Sequence, residues 1–375
     1  MTSPARLATA IRYGWRNSSH PVVLQMHTLF DSWAAKTNTI TSTVPACPQA
    51  PSISYTGIAQ GVTNILKLTD VLRSRDYPGP INWETNNDGE MADISLHGTS
   101  DRGTFAGHSE LVMPFRIHLA IPTQNLESVK QAISRRERPR FSSSLNQEFW
   151  RPRITTDGAE VRSFYHRMHL PTMANRHAEA ARTESLDLAL HIARRGGLFL
   201  SETPSGPVAG CLFTQEGGVF TTRLLGVDDG ADEHYENGAF KNLYYMMLQH
   251  CARTRAIQTM DLFGTEAFIS KGIFQWKRKL GAEVRPAPNH FRHKFLRLNV
   301  HRDTPGVRKF LVRNPMLIHT PSGLTPLYFR EGNEGIAHEF SSQMGGLNPP
   351  LHLSLDDFLS SVGSVSPRVR RLENA

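Results

Sequence analysis

The clearest pattern of apolar positions lies in the second half of the chain. Apolar residues recur at intervals of three and four from Phe240 to Cys251, which predicts an amphipathic helix that begins at Asn237 and Gly238. Before this helix, the segment 196–227 contains three short apolar runs separated by the turn sequences TPSGP and EGG. This spacing predicts three antiparallel strands joined by hairpins.

Two helical stripes precede these strands, at 161–168 and 186–193, and Pro171 is expected to end the first helix. After the helix from Phe240, the runs IQTMDLF and HKFLRLNV predict two further strands, with a helix between them. The order in this half is therefore helix, helix, three antiparallel strands, helix, strand, helix, strand.

The first half of the chain has a weaker pattern. It predicts helices at 21–37 and 61–77, strands from about 80 to 122, and a helix from Leu126 that ends before Pro139. The segment 41–52 is rich in proline, serine and threonine and is expected to be a loop. The 375 residues are enough for two domains.

The segment DLFGTEAFISKGIFQWKRKLGA, from Asp261 to Ala282, combines two carboxylates with a cationic helix. The apolar face of that helix comprises Ile269, Ile273, Trp276 and Leu280, and its other faces carry Lys271, Lys277, Arg278 and Lys279. Gly281 occupies the position of a left-handed C-cap. Asp261 either acts on a substrate or caps the turn that follows its strand. Glu266 has the same two interpretations, because an acid in a first helical turn also favours the helix dipole.

Composition indicates a folded globular protein, with 39% hydrophobic and 20% charged residues. No apolar run approaches the ~20 residues of a membrane-spanning helix, and the N-terminal stretch lacks the apolar block of a signal peptide. We therefore expect a cytoplasmic protein that makes no membrane contact. Three widely spaced cysteines without a CxxC pair, Cys47, Cys211 and Cys251, indicate reduced thiols.

Histidine spacing gives a weak metal signal. His166 and His169 lie three positions apart, as do His290 and His293, and this spacing can place two imidazoles on one helix face. The second pair lies in a segment that is as typical of a strand, with no acidic ligand close by in the sequence. We therefore predict no metal site.

The positive charge is concentrated locally. The chain carries a net charge of +8, but the stretch from Lys271 to Arg313 has twelve cations and two acids, a net charge of +10. A second cluster, KQAISRRERPRF, is followed by Arg151 and Arg153. Such clusters attract polyanions through counterion release, although a charged run is often only a solvated surface.

The element order, GPVAGCLF, the helix at Gly238 and the segment after Asp261 together resemble the GNAT superfamily of N-acyltransferases. Within it, the chain is most similar to the Fem-type aminoacyl transferases, in which a strand ending in Asp and Gly leads into a helix with an fK.kfGa type motif. Asp261, Gly264 and residues 275–282 match that motif. The resemblance covers roughly residues 155–300.

The resemblance implies an α+β or α/β fold, with a GNAT-like mixed sheet flanked by helices. We expect a GNAT-like acyltransferase domain at 151–330, a tail at 331–375, and a helical and β region at 1–150. This first region is a candidate for a degenerate GNAT half, so that the chain would contain two GNAT-like halves.

The implied activity is transfer of an amino acid from aminoacyl-tRNA to an amine- or hydroxylamine-type acceptor on a small molecule or peptide. The strands VFTTRLLGV and IQTMDLF would splay apart to hold the donor, and the helix N-terminus would bind a phosphate. Asp261 and Glu266 are the catalytic candidates. The donor-binding candidates are Lys277, Arg278, Lys241, Gly238 and Lys271. No cofactor is implied beyond aminoacyl-tRNA as co-substrate.

Two other functions stay open. A coenzyme A thioester or an acyl carrier protein could be the donor, but HYENGAFKN lacks the glycine-rich loop of acyl-CoA enzymes, and the acids before it would repel a pyrophosphate. A noncatalytic RNA-binding protein on a degenerate GNAT scaffold is the second alternative. The absence of GxSxG, HExxH and GxxxxGK[ST] motifs disfavours hydrolase, zincin and P-loop functions. The sequence leaves the amino acid, the acceptor and the oligomeric state open.

Overall fold

A computed structural model describes residues 4–34, 39–85, 91–101, 110–144, 149–177, 183–332, 339–360 and 362. The strands are β1 (Ile40–Thr43), β2 (Ile53–Gly57), β3 (Asn82–Thr85), β4 (Ile94–Thr99), β5 (Glu110–Pro114), β6 (Ile117–Pro122), β7 (Arg151–Thr155), β8 (Gly196–Thr203), β9 (Gly206–Glu216), β10 (Val219–Val227), β11 (Thr259–Thr265), β12 (Glu283–Pro286), β13 (Phe295–Val300), β14 (Met316–Thr320), β15 (Gly323–Arg330) and β16 (Leu351–Ser354).

The α-helices are α1 (Pro4–Asn17), α2 (Pro21–Ala34), α3 (Lys67–Ser74), α4 (Leu126–Ala132), α5 (Arg138–Ser144), α6 (Gly158–Phe164), α7 (Leu170–His177), α8 (Leu186–Arg194), α9 (Glu233–Glu236), α10 (Ala239–Arg253), α11 (Gly272–Lys279), α12 (Pro305–Arg313) and α13 (Leu355–Leu359). Two π-helical turns occur at Val62–Leu66 and Tyr165–His169, and a 3-10 turn occurs at His290–His293. Among the described residues, none of the helices has the length and apolar character needed to span a membrane.

The chain divides into two compact units, and both are discontinuous in sequence. Unit 1 comprises residues 1–18, 118–265 and 276–289, and unit 2 comprises residues 19–117, 266–275 and 290–375. The sequence prediction had instead assigned continuous domains at 1–150 and 151–330. Each unit contains a mixed sheet flanked by helices, which confirms the predicted fold class.

The sheet of unit 1 has seven strands in the order β12-β6-β11-β10-β9-β8-β7. The predicted meander is confirmed, because β8 pairs antiparallel with β9 and β9 pairs antiparallel with β10. Successive side chains of β8 point to opposite faces. Leu198 and Leu200 join a core cluster with α6 and α8, whereas the Phe199 ring contacts His250 of α10. Helices thus cover both faces, which accounts for the uninterrupted apolar runs in these strands.

Strands β10 and β11 begin as a parallel pair and then separate. Only three residue pairs are in register, from Val219 opposite Thr259 to Thr221 opposite Asp261. Beyond that point β10 continues to Val227 alongside β9, with an irregularity between Thr222 and Leu224. The predicted divergence of these two strands is therefore present, and it leaves a gap in the sheet after Asp261.

The helix from Leu126 ends at Ala132, before Pro139, as predicted. Pro139 is instead the second residue of α5, where the N–H that a proline lacks would have no partner in the helix. Pro171 does not end its helix as predicted: it follows a π-helical turn, and the helix continues through it into α7.

Helix α11 also differs from its prediction. It begins at Gly272 rather than at Ile269, so the buried positions are Phe274, Lys277 and Leu280, while Ile273 is exposed. Gly281 adopts φ +84° after this helix, as its predicted left-handed cap requires. The one-residue shift of the buried face places a lysine where an apolar side chain was expected.

Unit 2 contains a six-stranded sheet in the order β3-β1-β2-β4-β13-β5 and a three-stranded sheet, β14-β15-β16. The predicted strand HKFLRLNV is present as β13, but it lies between β4 and β5 in unit 2. Strands β2 and β4 pair in parallel over five positions, from Ile53 opposite Ile94 to Gly57 opposite Gly98. This parallel pair has no gap like that between β10 and β11.

Candidate active site

A buried histidine–carboxylate pair lies where β10 and β11 separate. His118 Nδ1 is 2.7 Å from Asp261 Oδ2, and both side chains are less than a tenth exposed. Asp261 is the last residue of β11 in register with β10, and β6, which carries His118, lies on the other side of β11. Because an ionised carboxylate can only accept, Nδ1 donates to it and Nε2 is the ring nitrogen left for another partner. The arrangement is that of a general base held in place by a carboxylate.

The backbone beside this pair is strained. Phe263 has φ +67°, in the left-handed region that costs a residue with a side chain roughly 1–2 kcal/mol. Asp261 Oδ1 accepts a 2.8 Å hydrogen bond from the Phe263 amide, and the Lys277 ammonium donates to the carbonyls of Leu262 and Phe263. The Phe263 ring lies edge-on to the His118 imidazole at 5.4 Å. The two charged side chains thus hold the strand in the conformation that places Phe263 against His118.

A third charged group, Arg223, lies close to the strained residue. It is on β10 at the irregularity after Thr222, and its guanidinium lies 4.7 Å from the centre of the Phe263 ring. It donates a 3.0 Å hydrogen bond to Asn17 Oδ1. Burial lowers the pKa of Arg223, and the nearby Tyr13, Glu184 and Asp261 oppose that effect. A cation held in this way can stabilise negative charge on a carbonyl oxygen.

The N-terminus of α10 forms one side of a cavity of about 290 Å³ in unit 1. Gly238 precedes the helix with φ +86°, and a Cβ built there would meet nothing within 4 Å, so the backbone is open to the cavity. Besides Gly238, the cavity is lined by two cations, one acid, three aromatic rings, two amides and two serines, which are Arg140, Lys241, Glu236, Trp150, Tyr235, Tyr245, Asn237, Asn242, Ser143 and Ser144. Within the described chain, the buried Asn242 Nδ2 has no hydrogen-bond partner. A polar ligand in the cavity could satisfy this group.

Helix α5 is attached to α10 beside the cavity by two side-chain hydrogen bonds. Tyr245 OH donates to Glu137 Oε2 at 2.8 Å, and Gln249 Nε2 donates to Ser144 Oγ at 2.9 Å. The basic cluster found in the sequence at this place is largely accessible, because Arg135, Arg136 and Arg140 are exposed. A cationic surface therefore borders the cavity.

The predicted donor-binding residues lie in different environments in the structure. Gly238 and Lys241 both line the cavity, and the Lys241 ammonium lies 5.4 Å from the centre of the Trp276 ring. Lys277 is buried and holds backbone carbonyls, so the prediction of an exposed lysine on this helix face is wrong. Arg278 is half-buried on the same helix.

The other catalytic candidate, Glu266, lies six residues before α11 rather than in its first turn, so its predicted effect on the helix dipole is absent. Its buried carboxylate pairs with the Lys271 ammonium in unit 2. These two candidates therefore neutralise each other, and Asp261 is the predicted catalytic residue with a titratable partner in unit 1.

The local charge count of +10 does not describe an exposed basic surface. Eight of the twelve cations between residues 271 and 313 make ion pairs. These eight are Lys271, Arg285, Lys294, Arg297, Arg302, Arg308, Lys309 and Arg313. Most of their carboxylate partners come from distant segments, as when Arg297 pairs with Glu110. The predicted polyanion surface in this stretch is therefore largely neutralised.

Two of the five acids before α10 are paired with arginines. Asp228 pairs with Arg167 at 3.1 Å, and Asp232 pairs with Arg176 at 2.8 Å. The repulsion of a pyrophosphate that the sequence predicted for this loop is correspondingly weaker.

His118 is one of the site residues that sequence reasoning missed. It lies in FRIHLAI, a run that is otherwise apolar, apart from one arginine, and becomes the buried strand β6. A single histidine in a buried strand needs a polar partner. That signal was present, but the partner, Asp261, is 143 positions away along the chain.

No family model matches this chain, and no curated protein matches it. Among solved structures it is similar to FemX, with 12% identity, 68% of this chain and 82% of that chain covered, and a TM-score of 0.39. It is also similar to L-PGS from Bacillus licheniformis, with 9% identity, 79% and 96% covered, and a TM-score of 0.35. A third likeness is to a GCN5-related N-acetyltransferase from Sphaerobacter thermophilus, with 13% identity, 71% and 78% covered, and a TM-score of 0.30. Because these identities and TM-scores are low, function is inferred from the site geometry.

Proposed function

We propose that the protein is an acyltransferase that moves an aminoacyl group from aminoacyl-tRNA to an amine on a small molecule or peptide. The observation that carries the proposal is the separation of β10 and β11 beside the buried His118–Asp261 pair. The separation of the strands leaves room in the sheet for the carbonyl of a donor, while the pair handles the proton of the acceptor. This arrangement favours an enzyme over the noncatalytic RNA-binding alternative.

In the proposed reaction, the amine nitrogen attacks the ester carbonyl carbon of the donor. The new C–N bond forms, the C–O bond to the terminal ribose breaks, and His118 Nε2 takes the proton from the amine. The same proton then passes to the departing ribose oxygen, so that atoms and charge balance. Asp261 keeps the imidazole in the required tautomer, and Arg223 is placed to stabilise the oxyanion.

Donor binding is assigned to the cavity at α10 and its surroundings. Trp150 and Tyr235 offer aromatic surface for a terminal base, and Lys241 offers a cation for its phosphate. The exposed Arg135 and Arg136 extend the positive charge beyond the cavity, which suits a polynucleotide better than a small cofactor. The surface proposed for tRNA is thus on the turn before α5 and on α5 itself, not on the stretch after Lys271.

A coenzyme A thioester is the second candidate donor. One observation favours it: Asp228 and Asp232, which would oppose a pyrophosphate, are both paired with arginines. The two donors differ in size and charge, so one binding experiment distinguishes them.

That experiment titrates the protein with fluorescent aminoacyl-tRNA, with the same tRNA uncharged, and with excess acetyl-CoA as competitor. The proposal expects tighter binding of the charged form and no competition by acetyl-CoA. Arg136→Glu should weaken tRNA binding and reduce the salt dependence by about one counterion. The matched control is Arg162→Glu, because Arg162 is an exposed arginine on α6, on the opposite face of the sheet. Displacement by acetyl-CoA would instead support the second candidate.

Chemistry is tested separately with hydroxylamine as the acceptor and with subtraction of the uncatalysed rate. His118→Asn retains an amide near the Nδ1 position but has no base, so turnover should fall by roughly 10²–10⁴-fold while donor binding is unchanged. Normal transfer by this variant, given normal donor binding, would refute the role assigned to His118.

A further inference from the structure

A second group of titratable side chains lies in unit 2, outside the proposed acyl-transfer site. One ligand atom from each of His27, Asp31 and His290 lies within 4.8 Å of the other two. Both histidines are buried, and Asp31 is partly exposed. The two imidazole rings are stacked with centres 4.1 Å apart. Two imidazoles and a carboxylate brought together in this way are a common ligand set for Zn²⁺ and related ions.

The local structure explains how these residues meet. His27 and Asp31 are four positions apart on α2, and therefore lie on one face of that helix. His290 begins the 3-10 turn that packs against α2. In the sequence, His290 is spaced to pair with His293, and no acid lies close by. The structure instead brings Asp31 to it from a segment about 260 positions away.

The same carboxylate has a cationic neighbour. Lys294 Nζ lies 2.8 Å from Asp31 Oδ2 and donates a 2.9 Å hydrogen bond to Gln60 Oε1. Lys294 is buried. A metal ion at Asp31 would repel the ammonium, so the two cations would compete for one carboxylate.

We propose that His27, Asp31 and His290 bind one divalent transition-metal ion of the Zn²⁺ type, and that the Lys294 ammonium competes with the metal for Asp31. Two nitrogen ligands select against Mg²⁺ and Ca²⁺, which prefer oxygen. Bonds of ~2.0–2.2 Å require the ligand atoms to approach one another to ~3.4 Å. Because a metal ion lies in the plane of each imidazole that binds it, one of the two stacked rings must also turn when the ion binds. Three protein ligands leave a fourth position for water or a small molecule.

The test uses the full-length protein after dialysis against a chelator. It is titrated with Co²⁺, followed by the visible absorption of the bound ion, and with Zn²⁺, followed by calorimetry. We expect one tight site per chain. His27→Asn and His290→Asn should each weaken binding by more than the ~10–100-fold that loss of an outer-shell partner costs. His293→Asn is the matched control, because His293 is exposed on the same 3-10 turn, and it should leave affinity unchanged.

Lys294→Met is expected to change the metal affinity in the opposite direction, and a loss of folding could not produce that result. Without the competing ammonium, Zn²⁺ should bind at least ~10-fold more tightly, and Zn²⁺ should raise the melting temperature more than it does for the unaltered protein. Equal metal affinity in the unaltered protein, His27→Asn and His290→Asn would overturn the proposal. Weaker binding by a folded Lys294→Met variant would also overturn it, since Lys294 would then support the metal.

Discussion

Replacing Lys277 with methionine tests whether the ammonium of Lys277 is buried and hydrogen-bonded or exposed to solvent. The change keeps the length and apolar stem of the side chain and removes its charge. In the structure the ammonium donates to the carbonyls of Leu262 and Phe263, beside the His118–Asp261 pair. Lys279, two residues later on α11, is exposed and provides the matched variant Lys279→Met.

The expected magnitude follows from these contacts. A hydrogen bond from a charged donor contributes ~1.5–3 kcal/mol, and a buried carbonyl left without a partner costs ~1–3 kcal/mol. Relief of the cost of burying an ammonium offsets part of this loss. The net effect expected for Lys277→Met is a decrease of about 2–3 kcal/mol in the free energy of unfolding, against less than ~0.5 kcal/mol for Lys279→Met.

Urea denaturation of both variants measures the difference as a shift of the midpoint at an unchanged slope. For a unit of this size, 2–3 kcal/mol corresponds to a melting temperature about 5–10 °C lower. Equal and small effects of the two substitutions would mean that the Lys277 ammonium is solvated, as the sequence alone predicted. A more stable Lys277→Met protein would show that the burial cost exceeds the value of the hydrogen bonds.

Three further predictions concern stability. Burial lowers the pKa of His169, so the unfolded chain binds a proton that the folded chain does not, and stability should fall as the pH decreases below about 6.5. At pH 5.5 the free energy of unfolding should be lower by up to ~1.4 kcal/mol. Urea denaturation at several pH values should show that His169→Gln lacks this decrease. Gly281→Ala should lower the melting temperature, because φ is +84° and a Cβ would lie 2.7 Å from the backbone of α4; Gly272→Ala, with nothing within 4 Å, is the control. Arg73→Met should cost ~3–5 kcal/mol in chemical denaturation, since it leaves the buried Asp70 carboxylate without its cation.

Local pattern predicted the elements that are marked in the sequence by turns, caps and apolar runs. The meander β8 to β10 and helix α10 were predicted correctly because their turns, caps and apolar spacing are all encoded within a few residues of each element. Helix α11 was misplaced because its burial includes Lys277, whose apolar stem can be buried only when carbonyls are present to accept from its ammonium. The sequence contains no local sign of those carbonyls.

The site depended on contacts between distant segments, and sequence reasoning reached only part of it. Asp261 and Gly238 were found because each lies next to a predicted strand end or helix start. His118 was missed, since its importance depends on β6 lying beside β11 in the sheet. The net charge of the stretch 271–313 predicted an exposed basic surface wrongly for a related reason. A local count misses carboxylates that lie far away in the sequence, such as Glu110, which pairs with Arg297 across 187 positions.

The interleaving of the two units limits how the protein can be dissected. A fragment cut at 151–330 would lack β6, which lies between β12 and β11 in the sheet of unit 1, and would carry β13 without its neighbours β4 and β5. It would expose unpaired strand edges in both sheets and would tend to aggregate. During synthesis, unit 1 cannot close its sheet until β12, at Glu283–Pro286, has left the ribosome. The early strand β6 therefore has no partner in its sheet until residues more than 130 positions later have been made, and its edges stay open to mispairing during that interval.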